Sequence, residues 1–209
     1  MENRLHANRI YPMVLYYKLI NMEHPALLIV DMQNDFVREG ALLRVDQAEI
    51  IIPKICKVLA FFREKKFPVF HILRIHRSDG SDVEITRKQL FRDHPFAVAG
   101  SPGAGEIREL SPDPGEYVIE KIRMSAFIGT ELDIMLRTLG VTVIVVAGVQ
   151  TPNCIRTTVF DAIAYNYPVI LLDDATGAKT EEIHRSNVRD MVNIGVSVMD
   201  TESFIGKFR

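Results

Sequence analysis

The sequence predicts a three-layer α/β fold around a six-stranded, mostly parallel sheet of Rossmann-like type. Two observations predict it. Apolar runs rich in β-branched residues alternate with longer segments of helical period, which is the pattern of repeated βαβ units. The chain has 209 residues, 47% of them apolar and 25% charged, enough for one buried core and too few for two ordinary domains. We therefore expect a single domain over residues 22–209, preceded by an N-terminal extension at residues 1–21.

In that extension Arg4, Arg9 and Lys18 lie among Ile10, Tyr11, Met13, Val14 and Leu15. Pro12 interrupts the run and no small-residue cleavage site follows, so it does not read as a signal peptide. It reads as a misassigned start ahead of Met22 or as an arm that packs on a partner subunit. The first strand is expected at 26–30. A helix follows at 50–65, with Ile51, Ile55, Val58, Leu59 and Phe62 on one face. The second strand is placed at 68–73. Residues 74–114 are mostly polar and punctuated by Gly and Pro, and read as a long excursion over the sheet edge with little regular structure. Strands at 117–120, 143–147, 169–172 and 196–199 then alternate with helices at 131–139, 154–165 and 181–194.

Charge and cysteine content exclude several functions. A net charge of −2 and a pI near 6.3, with scattered Lys and Arg, give no footprint for nucleic acid or an anionic membrane. No apolar run approaches the roughly 20 residues that span a bilayer. The two cysteines, Cys56 and Cys154, sit in unlike contexts, so a disulfide framework is not indicated and a reducing cytoplasm is expected.

In an open parallel sheet, ligands collect beyond the carboxyl ends of the strands. Three of these ends carry chemistry: Asp31 after the first strand, Lys121 after the third and Cys154 after the fourth. Thr151-Pro152 reads as an N-cap followed by proline at the first helical position, which puts Cys154 in the first turn of a helix. There the helix dipole and an ammonium such as Lys121 would lower the thiol pKa, and free N–H groups could hold an oxyanion. Asp31 could take the thiol proton and return it to a leaving amine. Singly, each residue has a plainer reading. A cysteine behind a strand is usually a small buried hydrophobe, an aspartate a turn residue and a lysine a solvated charge. Their coincidence at three strand ends favours chemistry. Cys56, mid-helix, reads as core or helix surface, and His184 as helix surface.

The segments Val30-Asp31-Met32-Gln33-Asn34-Asp35-Phe36, Lys121-Ile122-Arg123-Met124-Ser125-Ala126-Phe127 and Gly148-Val149-Gln150-Thr151-Pro152-Asn153-Cys154 occur in that order, followed by residues 158–162 and Asp173-Asp174-Ala175. Over Pro25 to about Phe204 the chain thereby resembles the isochorismatase-like cysteine hydrolases, which include nicotinamidases, N-carbamoylsarcosine amidohydrolases and ureidoacrylate amidohydrolases. The resemblance implies a catalytic triad of Asp31, Lys121 and Cys154. It also implies a cis Val149–Gln150 peptide that turns the N–H groups of Gln150 and Cys154 toward one oxyanion position, a parallel six-stranded sheet with helices on both faces, and assembly into homodimers or homotetramers. The expected activity is cysteine-dependent hydrolysis of a C–N bond in a small amide, ureido or carbamoyl compound, through a thioester and without a cofactor.

One departure bears on the substrate. Nicotinamidases of this family resemble one another in an Asp-x-His segment after the second strand that helps to hold a metal. Here Arg74 takes the aspartate's place before Ile75-His76. A metal site from His76, Asp79, Asp82 and His94 matches no ligand template, and a polar loop without metal is the expectation. Arg74, Arg77, Arg123 and Arg156 fall near the predicted mouth, where a guanidinium suits a substrate carboxylate. Arg74 and Arg123, with Phe36 from the first motif, form the expected substrate-binding set, which tilts the expected substrate toward small ureido or carbamoyl acids. Isochorismatases proper, by the same resemblance, lack the cysteine. A nicotinamidase and a non-catalytic or redox-sensing module of the same fold are the alternatives.

Overall fold

A computed structural model describes residues 22–208; the expectations for residues 1–21 lie outside the described residues. Six parallel strands form one sheet in the order β3-β2-β1-β4-β5-β6. They are β1 (Pro25–Val30), β2 (Val69–Arg74), β3 (Tyr117–Lys121), β4 (Val143–Val149), β5 (Val169–Gly177) and β6 (Ser197–Met199). The chain winds outward from β1 in one direction and from β4 in the other, so the order reverses between these two central strands. A crevice is expected at that switch point, beyond the strands' carboxyl ends.

Seven helices cover the sheet: α1 (Asn34–Val37), α2 (Ala48–Lys65), α3 (Lys88–Asp93), α4 (Leu132–Thr138), α5 (Arg156–Ala164), α6 (Glu181–Asn193) and α7 (Thr201–Gly206). Alternate strand residues point to opposite faces, and each face has its own apolar layer. Leu27, Ile29, Val145 and Ala147 pack with Ile55, Leu59 and Phe62 of α2 and Phe204 of α7. Leu28, Val30, Ile144 and Val146 pack with Leu136 of α4, Val159 of α5 and Met191 of α6. The five residues expected on the inner face of the second helix are all buried.

The excursion at 74–114 does not run over the sheet edge. It folds back across the carboxyl end of β1, because the first motif clamps it there. The Gln33 side chain donates to Arg74 O at 2.8 Å and Ala104 O at 2.7 Å, and accepts from Arg74 N–H at 2.7 Å. Asn34 Nδ2 donates to Pro102 O and Gly105 O, and Asp35 Oδ2 accepts from Ala97 N–H. These contacts order a segment that contains α3 and two 3₁₀ turns, Ile85–Arg87 and Arg108–Leu110, where little regular structure was expected.

A buried charge cluster holds the other end of the excursion. His71 of β2, fully buried, has Nδ1 2.8 Å from Glu106 and Nε2 3.0 Å from Glu116. Glu116 also accepts two hydrogen bonds from Arg63 of α2, both at 2.8 Å. Burial alone would lower the pKa of His71, but the two carboxylates outweigh it and raise it. Burial likewise opposes the charge on Glu116, yet Arg63, the Asp113 N–H and His71 pull it down to about 2. For His71 the folded pKa lies above the unfolded value, so its contribution is complete below about pH 6.5 and fades as pH rises through the folded pKa. For Glu116 the contribution is present above about pH 4.5 and is lost as pH falls toward about 2. Urea midpoints should therefore fall above pH 6.5 in the wild type with a slope that His71→Gln removes. Parallel curves for the two proteins would contradict this.

Candidate active site

The three strand-end residues converge. Asp31 follows β1 at φ 53°, a left-handed conformation that directs the chain away from the sheet, and its N–H donates to Ile72 O at 2.9 Å. Lys121 at the end of β3 reaches past the end of β2, and its Nζ donates to Asp31 Oδ2 at 2.9 Å and to Arg123 O at 3.2 Å. Both side chains of this pair are buried. Beyond β4 the Val149–Gln150 peptide is cis, and a single π turn, Thr151–Ile155, carries Cys154 and continues into α5. Arg74 Nη1 approaches Cys154 Sγ at 3.9 Å.

The site favours the protonated form of the thiol. Burial first, then the charge of Asp31, push the Cys154 pKa up to about 11, against the opposing pull of Lys121 and Arg74. The expectation of a lowered thiol pKa is thus reversed, because Asp31 sits against the sulfur as charge and as acceptor of its proton. Asp31 Oδ1 is buried and its lone pairs are taken by no hydrogen bond among the described residues.

The helix start also differs from expectation. Gln150, not Thr151, occupies the cap position, and no side chain caps the turn. The Thr151 hydroxyl instead lies 2.9 Å from Nδ1 of His184, whose Nε2 lies 3.0 Å from Asp173 Oδ1. His184 is therefore not on the helix surface: it is 3% exposed and ties the cysteine-bearing turn to α6 and β5. Cys56 is half-buried and its Sγ lies 3.7 Å from Glu109 O.

Asp31 and Cys154 open into a cavity of about 340 Å³. Phe36, Leu43, Val45, Met124 and Val149 form its apolar wall, and Gln150 and Asn153 add polar groups. Phe36 and Arg74 therefore lie where the sequence placed them. Arg123 does not line this cavity; its Nη1 donates to the carbonyls of Asp82 and Ile122, and it borders a neighbouring cavity with Arg156. Arg77 is exposed, and Arg156 pairs with Asp190. The cavity also holds Arg87 and Lys179, which the sequence did not single out. Arg87 could not be found from local pattern, because the fold-back of the excursion brings it to the site.

Two of the three nitrogens of the Arg74 guanidinium are engaged away from the sulfur. Its Nη2 pairs with Glu84, and its Nε donates to His76 Nε2 at 3.0 Å. His76 Nδ1 lies 3.3 Å from Asp82, and burial, followed by Arg74, lowers the His76 pKa, so the ring is neutral near pH 7. The donor set does not fit a divalent cation: the Nε2 lone pair faces a guanidinium, Asp79 and His94 are exposed, and no three metal-ligand side chains converge among the described residues.

The geometry has clear parallels in known proteins. The Isochorismatase domain family model matches residues 25–203. The chain is 45% identical over 175 residues to an Arabidopsis thaliana protein named "Probable inactive nicotinamidase", an alignment that covers 82% of this chain and 89% of that one. It is 29% identical over 184 residues to an N-carbamoylsarcosine amidase of Arthrobacter sp, covering 87% and 70% of the two chains. The crystal structure of an isochorismatase family protein from Desulfovibrio vulgaris subsp. vulgaris str. Hildenborough superposes with a TM-score of 0.85 at 43% identity, covering 88% of this chain and 97% of that one. With a family match across most of its length and the same fold in a 43%-identical neighbour, this chain belongs to the isochorismatase family.

Proposed function

We propose that the protein is a cysteine-dependent amidohydrolase that cleaves a C–N bond of a small amide, ureido or carbamoyl compound through a thioester. The observation that carries this reading is the buried Lys121–Asp31 pair set against a protonated Cys154 at one cavity. A thiol near 11 is a poor nucleophile alone, so it needs a base at the moment of attack, and we assign that role to Asp31, whose charge and acceptor oxygen already act on the thiol. Lys121 holds the carboxylate in place and balances its charge.

The reaction then runs in two halves. Cys154 Sγ attacks the carbonyl carbon while its proton passes to Asp31. The carbonyl oxygen becomes an oxyanion, received by the N–H groups of Gln150 and Cys154. As the C–N bond breaks, the leaving ammonia or carbamoyl amine takes the proton from Asp31. Water then gives a proton to Asp31 and attacks the thioester; collapse of the second oxyanion expels the sulfur, which regains that proton.

Two other readings receive less support. A nicotinamidase would be expected to hold a metal beside its substrate, and the Nε2 lone pair of His76, the buried histidine behind Arg74, is taken by that guanidinium. A redox sensor needs an accessible thiolate, and burial and Asp31 suppress one here. The relation to the N-carbamoylsarcosine amidase supports a carbamoyl substrate, and two free thiols suit a reducing compartment such as the cytoplasm. The test is ammonia release from nicotinamide, N-carbamoyl amino acids, ureidoacrylate, biuret and simple amides. We expect release from a ureido or carbamoyl compound that persists with chelator and vanishes in Cys154→Ala. Activity lost to chelator would favour the nicotinamidase reading, and release that persists in Cys154→Ala would refute the thiol mechanism.

A further inference from the structure

The charges around the cavity do not balance. Asp31 is neutralised by Lys121, and Glu84 by Arg74. Arg87 and Lys179 line the same space and leave a surplus of two positive charges. Lys179 is exposed, so its charge is largely screened. Arg87 is half-buried at the end of the 3₁₀ turn Ile85–Arg87, with its guanidinium 4.7 Å from the centre of the Phe96 ring. Among the described residues no side chain hydrogen-bonds to it. Glu84 is the acid nearest in effect, and that carboxylate is already committed to Arg74.

We propose that Arg87 receives a carboxylate of the substrate, which makes the substrate a short acid with an amide, ureide or carbamoyl group at its other end. This rests on the cysteine-hydrolase reading of the same site. A guanidinium positioned over an aromatic ring keeps N–H groups free to form a fork, the geometry that binds a carboxylate by two parallel hydrogen bonds. Burial and the neighbouring Arg74 make an unpaired charge at this position unfavourable, and both penalties are relieved when an anion enters. Arg74 is less available for this role, because Glu84 neutralises its charge, His76 takes its Nε–H and its Nη1 faces the Cys154 sulfur. The apolar wall of Phe36, Leu43 and Val45 suits the short carbon skeleton between the two polar ends.

The carboxylate preference can be read without knowing the substrate, by alkylating Cys154 with iodoacetate and with its neutral isostere iodoacetamide. Labelling at Cys154 is quantified by mass spectrometry at pH 8, with 2-mercaptoethanol as reference thiol. The ratio of the iodoacetate rate to the iodoacetamide rate should exceed that of the reference by about 30-fold, the scale of one charge-assisted contact, and should return to the reference value in Arg87→Gln. Arg87→Lys should recover part of the preference, since charge survives and the fork does not. A ratio equal to the reference, or one that Arg87→Gln leaves unchanged, overturns the proposal while leaving Cys154 a working nucleophile. If neither reagent labels Cys154, the cysteine-hydrolase reading itself falls and takes this inference with it.

Discussion

Asp31→Asn is expected to lower kcat by about 10⁴-fold, Cys154→Ser by a similar factor, and the double variant by no more than either single one. The reason is the protonated thiol. With its pKa near 11, Cys154 offers almost no thiolate near neutral pH, and in the proposed mechanism attack depends on transfer of its proton to Asp31 in the same step. Asparagine fills the same volume and still accepts a hydrogen bond, but it cannot accept the proton. Serine keeps the position of the nucleophile but has a far less acidic hydroxyl. Because both changes break one coupled step, their effects do not add. Asp31→Asn also leaves the Lys121 ammonium buried and unpaired, which costs about 3–5 kcal/mol of stability by analogy with other buried pairs. Circular dichroism and thermal unfolding must therefore accompany the kinetics. Singles that lose 10⁴ each and a double that loses 10⁸ would show that the two residues act independently.

The elements that local pattern could reach were legible in the sequence, and the failures share one cause. All six strands and four of the helices begin within about two residues of their expected positions, because β-branched runs and helical period are local signals, although β5 runs on past Leu172 to Gly177. Asp31, Lys121 and Cys154 were found because strand ends of a parallel sheet share one side of the molecule. What remained hidden depends on contacts between distant segments. Arg87 reaches the cavity only because Gln33, Asn34 and Asp35 fold the excursion back over β1. His184 is buried only because the start of α6 meets the cysteine-bearing turn. The thiol pKa was misjudged in sign for the same reason: the helix dipole and Lys121 can be read from sequence, whereas burial and the approach of Asp31 cannot.

Gly148→Ala is expected to be the most destabilising single-methyl change in the sheet, by roughly 4 kcal/mol or more, and to abolish activity with it. Gly148 pairs with Val30 in the centre of the sheet at φ 110°, where a Cβ would stand 2.2 Å from Val30 O and 2.7 Å from Val30 N. These are backbone atoms of the adjacent strand, so no rotamer change relieves the clash and β1 and β4 must separate. Gly140→Ala is the matched control. Its φ is 65°, also left-handed, but no atom lies within 4 Å of the added methyl, so it should cost only about 1 kcal/mol of conformational strain. The position matters for chemistry because Val30 precedes Asp31, and Gly148 precedes the cis peptide leading to Cys154. A shift that admits the methyl moves Asp31 and Cys154 apart, so under the proposed mechanism soluble Gly148→Ala protein should be inactive as well as unstable. A Gly148→Ala protein whose unfolding midpoint matches that of Gly140→Ala would mean that β1 and β4 can part without penalty. The close approach of these strands would then not be what holds Asp31 against the thiol.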